Sequence, residues 1–277
     1  MSERLQKFLA NAGYGSRRQI ESWIEAGRIE VDGRRAVLGQ QVTGAERIVV
    51  DGRPVDAQAA AAREPEVIAY HKPVGEVCSR SDPEGRPTVY DNLPPPAHGR
   101  WIGIGRLDLN TSGLILFTND GDLANRLMHP SQVVDREYAV RVLGEVSTET
   151  LEALRRGVQL DDGPARFTDI QEAGGRGANH WYHVVIQEGR KREVRRLWES
   201  QGVQVSRLMR VRYGPILLDK KLRPGRWRPL DAGDRAALYQ AAGLPAPKAG
   251  PKPKPGSKHP AGRGKRRAPQ HKRRQRK

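Results

Sequence analysis

The apolar positions of the first fifty residues form two helical stripes followed by two short alternating runs. The first stripe comprises Leu5, Phe8, Leu9 and Ala12, and the second comprises Ile20, Trp23 and Ile24, both at the spacing of one helix face. Ser16 and Gln19 have the spacing of a capping box at the start of the second helix. The runs 29–31 and 48–50 each lead into Asp-Gly, which is typical of a tight hairpin turn. The pattern predicts a small module over residues 1–60.

A longer region, residues 66–243, alternates between strand-like and helix-like segments. Strands are predicted at 67–70, 113–118, 137–142, 167–170, 181–186, 207–211 and 216–218, and helices at 122–128, 147–156 and 192–200. Many strands with segregated helices favour the α+β class, with a central mixed or mainly antiparallel sheet. The Ala-rich residues 57–65 are typical of a linker or of a short exposed helix.

Positive charge is concentrated at the C-terminal end of the chain. The net charge is +17, but 13 of the 49 Lys and Arg residues lie in residues 244–277, which contain no Asp or Glu. That segment is rich in Pro and Gly and has no aromatic residue, so we expect a disordered basic tail. The rest of the chain is nearly balanced in charge. A nucleic-acid site there therefore requires basic residues clustered on one face.

Cysteine usage and the lack of long apolar runs limit the class of protein. A single cysteine, Cys78, cannot form an intrachain disulfide, which favours a reducing, cytoplasmic location. No stretch approaches the roughly 20 apolar residues of a membrane span, so no membrane partner is expected. The histidines show no metal-ligand spacing and one cysteine excludes a Cys-rich zinc site, so no metal site is predicted.

One polar loop places a carboxylate directly before an apolar strand. Residues 105–113 read Gly-Arg-Leu-Asp-Leu-Asn-Thr-Ser-Gly, and Asp108 lies at their centre. Short loops held by rigid strands are where catalytic side chains tend to lie, although an Asp there can also simply stabilise a turn. The segment resembles the signature of pseudouridine synthases of the RsuA/RluA superfamily. The resemblance implies a pseudouridine synthase fold and identifies Asp108 as the catalytic nucleophile.

Two further segments resemble motifs of the same family. Residues 188–197, Glu-Gly-Arg-Lys-Arg-Glu-Val-Arg-Arg-Leu, imply that Arg195 pairs with Asp108, and a guanidinium there favours the ionised carboxylate. The segment Asp-Arg-Glu-Tyr-Ala-Val implies that Tyr138 stacks on a flipped uracil and can act as a base. From the residues alone, a Tyr in a strand is more often a core residue. His-Lys-Pro-Val-Gly, which contains Lys72, resembles the family's first motif and implies a structural role.

Several basic residues are candidates for RNA contact. The resemblance implies that Arg106 touches the RNA backbone, whereas by composition it is an ordinary surface arginine. The other arginines of the 188–197 segment are expected to point largely outward as an RNA-facing stripe, together with its lysine: Arg190, Lys191, Arg192 and Arg196. Arg207, Arg210 and Arg212 extend this basic cluster along the chain.

The N-terminal module resembles an S4 (αL-like) RNA-binding domain over residues 2–52. The resemblance rests on Arg-Leu-Gln-Lys-Phe-Leu-Ala, Gly-Ser-Arg-Arg and Ile-Glu-Ala-Gly-Arg-Ile-Glu-Val-Asp-Gly-Arg. It implies contact with structured RNA through Arg17 and Arg18. The alternative is that these arginines form an ordinary solvated helix face.

Together these features indicate a site-specific ribosomal RNA pseudouridine synthase of the RsuA/RluB/RluE/RluF branch. The S4 module with a Lys/Arg/Pro-rich tail is most similar to the RluB type, which implies 23S large-subunit rRNA near the peptidyl-transferase centre. The isomerisation involves no redox change or outside group, so no cofactor is expected. We also expect a monomer. The alternatives are the same reaction on 16S small-subunit rRNA, and a non-catalytic RNA-binding or ribosome-assembly protein.

Overall fold

The computed structural model describes residues 2–56, 64–129 and 131–246. The predicted linker lies mostly outside these residues, as does the tail, so the disorder predicted for 244–277 concerns almost entirely undescribed residues. Within the described ranges, no helix is long and apolar enough to cross a bilayer. The described residues form a small N-terminal part and a larger part built on one sheet.

The N-terminal part packs two helices on short strands. Its elements are β1 (Glu3–Arg4), α1 (Leu5–Asn11), α2 (Arg17–Glu25), β2 (Ile29–Val31), β3 (Arg34–Arg35), β4 (Gln41–Val42), β5 (Ile48–Val50) and β6 (Arg53–Pro54). The predicted capping box is present, because the Gln19 amide donates to Ser16 Oγ and the Ser16 amide donates to Gln19 Oε1. Asp32 and Asp51 both have positive φ, as the predicted Asp-Gly turns require.

The larger part contains eleven strands and four helices in the described residues. They are β7 (Val67–Lys72), β8 (Ile102–Ile104), β9 (Ser112–Thr118), α3 (Gly121–Met128), β10 (Arg136–Leu143), α4 (Thr148–Arg156), β11 (Val158–Leu160), β12 (Gly163–Ala165), β13 (Asp169–Arg176), β14 (Asn179–Ile186), α5 (Glu193–Glu199), β15 (Val205–Tyr213), β16 (Ile216–Leu217), β17 (Trp227–Pro229) and α6 (Ala232–Ala241). Nine of the strands form one sheet, and β11 and β12 form a separate hairpin.

The sheet has the order β13-β14-β10-β15-β9-β7-β17, with β8 added to β9 and β16 added to β15. Within the described residues, neighbouring strands of this sheet run antiparallel apart from β15 and β9, which run parallel. The sheet is therefore mixed, which confirms the predicted fold class. At the parallel junction Gly113 lies beside Arg210, and a Cβ added at Gly113 would be 2.2 Å from the Arg210 carbonyl oxygen. A side chain at position 113 would thus separate the two strands.

Alternate residues of the central strands feed two apolar clusters, one on each face of the sheet. In β9, Ile115 and Phe117 join one cluster, whereas Leu114 and Leu116 join the other. The first cluster lies under α4 and α5 and includes Trp198, which has no exposed surface. The second lies under α3 and α6. Since side chains alternate along a strand, a sheet covered on both faces needs central strands as apolar as β9.

Close contacts join the N-terminal part to the larger part. Lys7 Nζ of α1 lies 2.9 Å from Asp122 Oδ1 of α3. Gly13, at the end of the turn after α1, approaches Gly99 so closely that a Cβ at Gly13 would lie 2.6 Å from the Gly99 Cα. The loop before β8 therefore packs directly on the N-terminal helices.

The helices and strands differ from the predictions at places with local causes. The strand predicted from residue 167 begins at Asp169, because the Phe167 amide donates to Leu154 O and leaves the strand ladder. The helix predicted from residue 192 begins at Glu193, because Arg192 has left-handed geometry with φ of 52°. The unpredicted elements of the larger part are β8, β11, β12, β17 and α6, and its four extra strands have only three residues each.

Candidate active site

The Asp108 loop crosses from β8 to β9 at the edge of the first apolar cluster. Asp108 is half-buried, and its carbonyl oxygen accepts a hydrogen bond from the Thr111 amide at 3.0 Å. Leu107, the preceding residue, is buried in the same cluster as Tyr138. Cys78 Sγ donates to Leu107 O at 3.1 Å and accepts from the Leu107 amide at 3.3 Å. Cys78 Sγ therefore satisfies both main-chain polar groups of Leu107.

Lys72 holds the part of the loop that follows Asp108. The side chain is fully buried at the end of β7, and Nζ donates to the carbonyl oxygens of Thr111 at 2.8 Å, Pro73 at 3.0 Å and Leu109 at 3.4 Å. Burial lowers the pKa of Lys72, whereas the negative charges of Glu76 and Asp108 oppose this shift. Lys72 therefore holds the main chain of the loop, and its ammonium group interacts electrostatically with Asp108.

Arg195 reaches the loop from α5. Its side chain is buried, and its Nη2 donates to Asn110 O at 2.9 Å while Nη1 donates to Val205 O at 3.1 Å. Burial lowers the pKa of Arg195, and the charge of Asp108 raises it. The two residues are thus electrostatic neighbours, but no N–O contact within 4 Å joins them, so the expected direct ion pair is not formed in this structure. The Nε of Arg195 has no hydrogen-bond partner among the described residues.

Tyr138 projects from β10 into the cluster that contains Leu107 and Val194, the residues just before Asp108 and Arg195. It is 8% exposed, and its hydroxyl makes no hydrogen bond with another described residue. In the sheet register Tyr138 lies opposite Arg210, which in turn lies opposite Gly113 at the start of β9. The structure therefore brings the loop, the tyrosine and the α5 arginine to one side of the sheet.

Two of the predicted RNA-facing arginines are instead engaged with carboxylates. Arg196 makes a two-pronged contact with Asp162, at 2.9 and 2.8 Å, and Arg190 contacts both Asp162 and Glu188. These contacts fasten the segment before α5 to the β11–β12 hairpin. The expectation that both guanidinium groups point outward to RNA is therefore corrected, because each is already held by an acid. Asp162 is held in return, and hydrogen bonds from Arg196 and Arg190 lower its pKa to about 2.

The other candidates of the basic segment remain on the surface. Lys191 and Arg192 are exposed, and Arg192 pairs with Glu199 at 3.3 Å. Arg106 is exposed beside Asp108. On the N-terminal part, Arg17 and Arg18 are exposed on α2, and neither has an ion pair with another described residue. These five positions are accessible to a polyanion.

The basic cluster expected in β15 is divided, because two of its three arginines are engaged within the protein. Arg210 is 1% exposed, its Nε donates to Leu114 O at 2.7 Å, and its guanidinium lies over the Tyr213 ring. Arg212 is taken up by Glu137 at 2.8 Å. Arg210 is therefore a buried residue whose side chain links β15 to β9. Alternation of Arg with apolar residues suggested a one-sided basic strand, but of the three arginines only Arg207 is exposed.

Replacing Lys72 with Met is expected to destabilise the protein by about 1–3 kcal/mol, because buried loop carbonyls lose their donor. Relief from burying an ammonium group offsets part of this cost. The free energy of unfolding can be measured by urea denaturation, with the exposed Lys221→Met as a matched control. Equal midpoints for the two variants would show that Lys72 does not hold the loop.

Comparison with known proteins agrees with this architecture. Residues 66–200 match the family model for RNA pseudouridylate synthase, and residues 3–48 match that for the S4 domain. The chain is 58% identical over 245 residues to "Ribosomal large subunit pseudouridine synthase B" of Pseudomonas aeruginosa, covering 88% of this chain but only 64% of that protein. The protein of the same name from Escherichia coli strain K12 is 58% identical, with 88% of this chain and 85% of that protein covered.

A solved structure supports the same assignment. The crystal structure of a pseudouridylate synthase superposes with a TM-score of 0.60 at 26% identity, covering 85% of this chain and 99% of that one. The match with the Pseudomonas protein spans less than two thirds of that relative's length, whereas the match with the Escherichia protein spans most of it. The chain belongs to the family of RNA pseudouridylate synthases and carries an S4 domain in its N-terminal part.

Proposed function

We propose that the protein isomerises a specific uridine of large-subunit (23S) ribosomal RNA to pseudouridine, with Asp108 as the catalytic carboxylate. The observation that carries the proposal is the Asp108 loop, which is held by Lys72 and Arg195 on the side of the sheet that carries Tyr138. The relatives named for the large ribosomal subunit support the choice of RNA. A site near the peptidyl-transferase centre, a cytoplasmic location and a monomer remain part of the proposal.

The domain boundaries proposed are residues 1–60 for the S4 domain, 66–243 for the catalytic domain and 244–277 for the tail. The first two agree with the separate apolar clusters of the N-terminal and larger parts. The S4 domain would bind structured RNA through Arg17 and Arg18, and exposed Arg106, Lys191 and Arg192 would contact the backbone near the target nucleotide. Phosphate contacts of this kind give affinity and register but little sequence choice.

The proposed reaction exchanges one bond to C1′ for another. The N1–C1′ bond of uridine breaks with its electron pair on the uracil, the base turns, and C5 bonds to C1′. C5 then loses its proton and N1 gains one, so the product is an isomer of the substrate. Asp108 either attacks C1′ or stabilises and deprotonates the sugar, both of which are suited to a carboxylate at a glycosidic centre. The target base must first leave its stack.

Arg195, Lys72 and Tyr138 would position the Asp108 carboxylate and the target base. Arg195 and Lys72 place positive charge beside Asp108 and hold the loop by its backbone oxygens, which keeps the carboxylate ready to react without reorganisation. Tyr138 offers a ring face for stacking and a hydroxyl with no hydrogen-bond partner among the described residues. Leu107 and Val194 belong to the same apolar cluster as Tyr138 and would help exclude water from the base.

Tyr138→Phe is expected to lower the rate of pseudouridine formation about 100-fold with RNA affinity unchanged, because the ring remains while a proton-transfer group is lost. Tyr138→Leu should lose more, since the stacking face disappears as well. Single-turnover rates on a 23S rRNA transcript would measure both effects. If the Phe variant reacted at the wild-type rate, the hydroxyl would have no part in the chemistry.

The function itself is tested by mapping pseudouridines in ribosomal RNA from a strain that lacks the gene. We expect one or a few 23S positions to lose the modification and to recover it on expression of the wild-type protein. Loss confined to 16S rRNA would overturn the choice of subunit, and an unchanged modification pattern would overturn the enzymatic proposal.

A further inference from the structure

Three arginines lie together where the N-terminal part meets the loop that precedes β8. Arg17 begins α2, whereas Arg80 and Arg100 belong to the segment between β7 and β8. Burial lowers the pKa of Arg100, and the nearby charges of Arg80 and then Arg17 lower it further. Neighbouring positive charges repel one another, and an anion bound between them would relieve that repulsion.

No Asp or Glu of the described residues forms an ion pair with the cluster of Arg17, Arg80 and Arg100. Arg80 donates to Trp101 O and lies over the Tyr90 ring, with its guanidinium carbon 4.5 Å from the ring centroid. Arg17 and Arg100 make no hydrogen bond or ion pair with the part of the chain that the structure describes. This sets the cluster apart from many other arginines of the described residues that are paired with carboxylates, such as Arg28, Arg86 and Arg196.

The backbone fixes the cluster in place. Gly99, which precedes Arg100, packs against Gly13 so closely that a Cβ at Gly13 would lie 2.6 Å from the Gly99 Cα. The Arg80 guanidinium donates a hydrogen bond to the carbonyl oxygen of Trp101, which follows Arg100 and has a buried side chain. The backbone around Arg100 and the side chain of Arg80 are thus held without a ligand, which lowers the cost of ordering the site when a ligand binds.

The cluster is connected to the Asp108 loop by a short path. Cys78, two residues before Arg80, exchanges hydrogen bonds with Leu107, which directly precedes Asp108. The exposed Arg106 follows on the other side of Leu107. A chain of phosphates could therefore run from the arginine cluster past Arg106 to the loop.

We propose that Arg17, Arg80 and Arg100 form a phosphate-binding site for the RNA backbone, shared between the S4 domain and the catalytic domain. The inference rests on the proposed function, because it takes RNA as the polyanion. Guanidinium groups suit this ligand because their planar forks match phosphate oxygens. By holding one stretch of backbone against both domains, the site fixes the spacing between the RNA held by α2 and the nucleotide presented to Asp108.

The test compares Arg17→Gln, Arg80→Gln and Arg100→Gln in the full-length protein, using a 23S rRNA transcript as the probe. Each variant should bind about tenfold more weakly at 0.1 M salt. The plot of log affinity against log salt concentration should become shallower by about 0.7–0.9 per arginine, as expected for one lost phosphate contact. Under multiple-turnover conditions the loss should fall mainly on KM. Arg→Lys variants should recover most of the salt dependence, because the charge remains.

Arg176→Gln is the matched control, because Arg176 is an exposed arginine near the distal turn of β13 and β14. Variants of Arg80 and Arg100 that bind as this control does would overturn the shared site, and so would an effect limited to Arg17. Thermal unfolding identifies any misfolded variant. If a Gln variant misfolds, the corresponding Lys variant and the exposed Arg17→Gln still test the site. If the wild-type protein bound the transcript but formed no pseudouridine, the proposed function would fail, while the binding series would still decide the site.

Discussion

Asp108→Asn is expected to reduce pseudouridine formation by at least roughly 10⁴-fold, as observed when a residue that makes or directly supports the covalent step is removed. The amide has nearly the same shape as the carboxylate, so the loop should keep its hydrogen bonds to Thr111 and to Lys72. Binding of a 23S rRNA transcript should be unchanged or slightly tighter, because one negative charge near the phosphates disappears. Single-turnover kinetics and filter binding would measure the two quantities separately.

The matched control for this variant is Asp161→Asn, which removes an exposed carboxylate from the turn between β11 and β12. It should react at the wild-type rate. Residual isomerisation by Asp108→Asn within tenfold of wild type would remove Asp108 from the catalytic role. Loss of RNA binding together with activity would instead indicate a non-catalytic contact.

Arg195→Met should lower the rate at saturating RNA by at least about 100-fold and destabilise the protein by about 2–4 kcal/mol. The methionine fills part of the space, but the carbonyl oxygens of Asn110 and Val205 lose their donors and Asp108 loses a nearby positive charge. Single-turnover rates and urea denaturation would give the two losses. Arg195→Lys should recover part of the rate, since an ammonium group keeps the charge without spanning both carbonyls.

The control for Arg195 is Arg156→Met, because the Arg156 side chain at the end of α4 is 74% exposed. It should change neither the rate nor the stability appreciably. An Arg195→Met variant with reduced stability but a normal rate would confine this arginine to a structural role. The lysine variant separates the two contributions, because Arg195→Lys loses only the two-pronged hydrogen bonding, whereas Arg195→Met loses the charge as well.

The fold could be predicted where a pattern within a few neighbouring residues determines the element. The capping box of α2, the Asp-Gly turns and the apolar β9 all formed as the residues indicated. The short strands were not predictable, because their identity depends on partners distant in sequence. β8 is only Ile-Gly-Ile, and β17 is Trp-Arg-Pro paired with β7. Neither is long enough to show a period.

The candidate site was predictable as a set of motifs but not as a set of contacts. The resemblance of residues 188–197 to a family motif pointed to Arg195, which is the arginine of that segment that reaches the loop. It could not show that Asp162, almost thirty residues before Arg190 in a separate hairpin, would bind Arg190 and Arg196. It likewise gave no indication that Arg210 would be covered by Tyr213. Lys72 was signalled by the His-Lys-Pro-Val-Gly motif and by its position at the end of the apolar strand β7, but neither signal named the carbonyl oxygens that it binds.

The Asp108 loop is held almost entirely by its main chain. Buried Lys72 and Arg195 and half-buried Cys78 donate to the carbonyl oxygens of four loop residues, Leu107, Leu109, Asn110 and Thr111. Every residue carries the same carbonyl group, so this support is indifferent to which side chains the loop presents. Leu109 and Asn110 could therefore change during evolution, or by design, to suit a different RNA while Asp108 kept its place. A fixed catalytic position beside variable neighbours lets one scaffold serve many substrates.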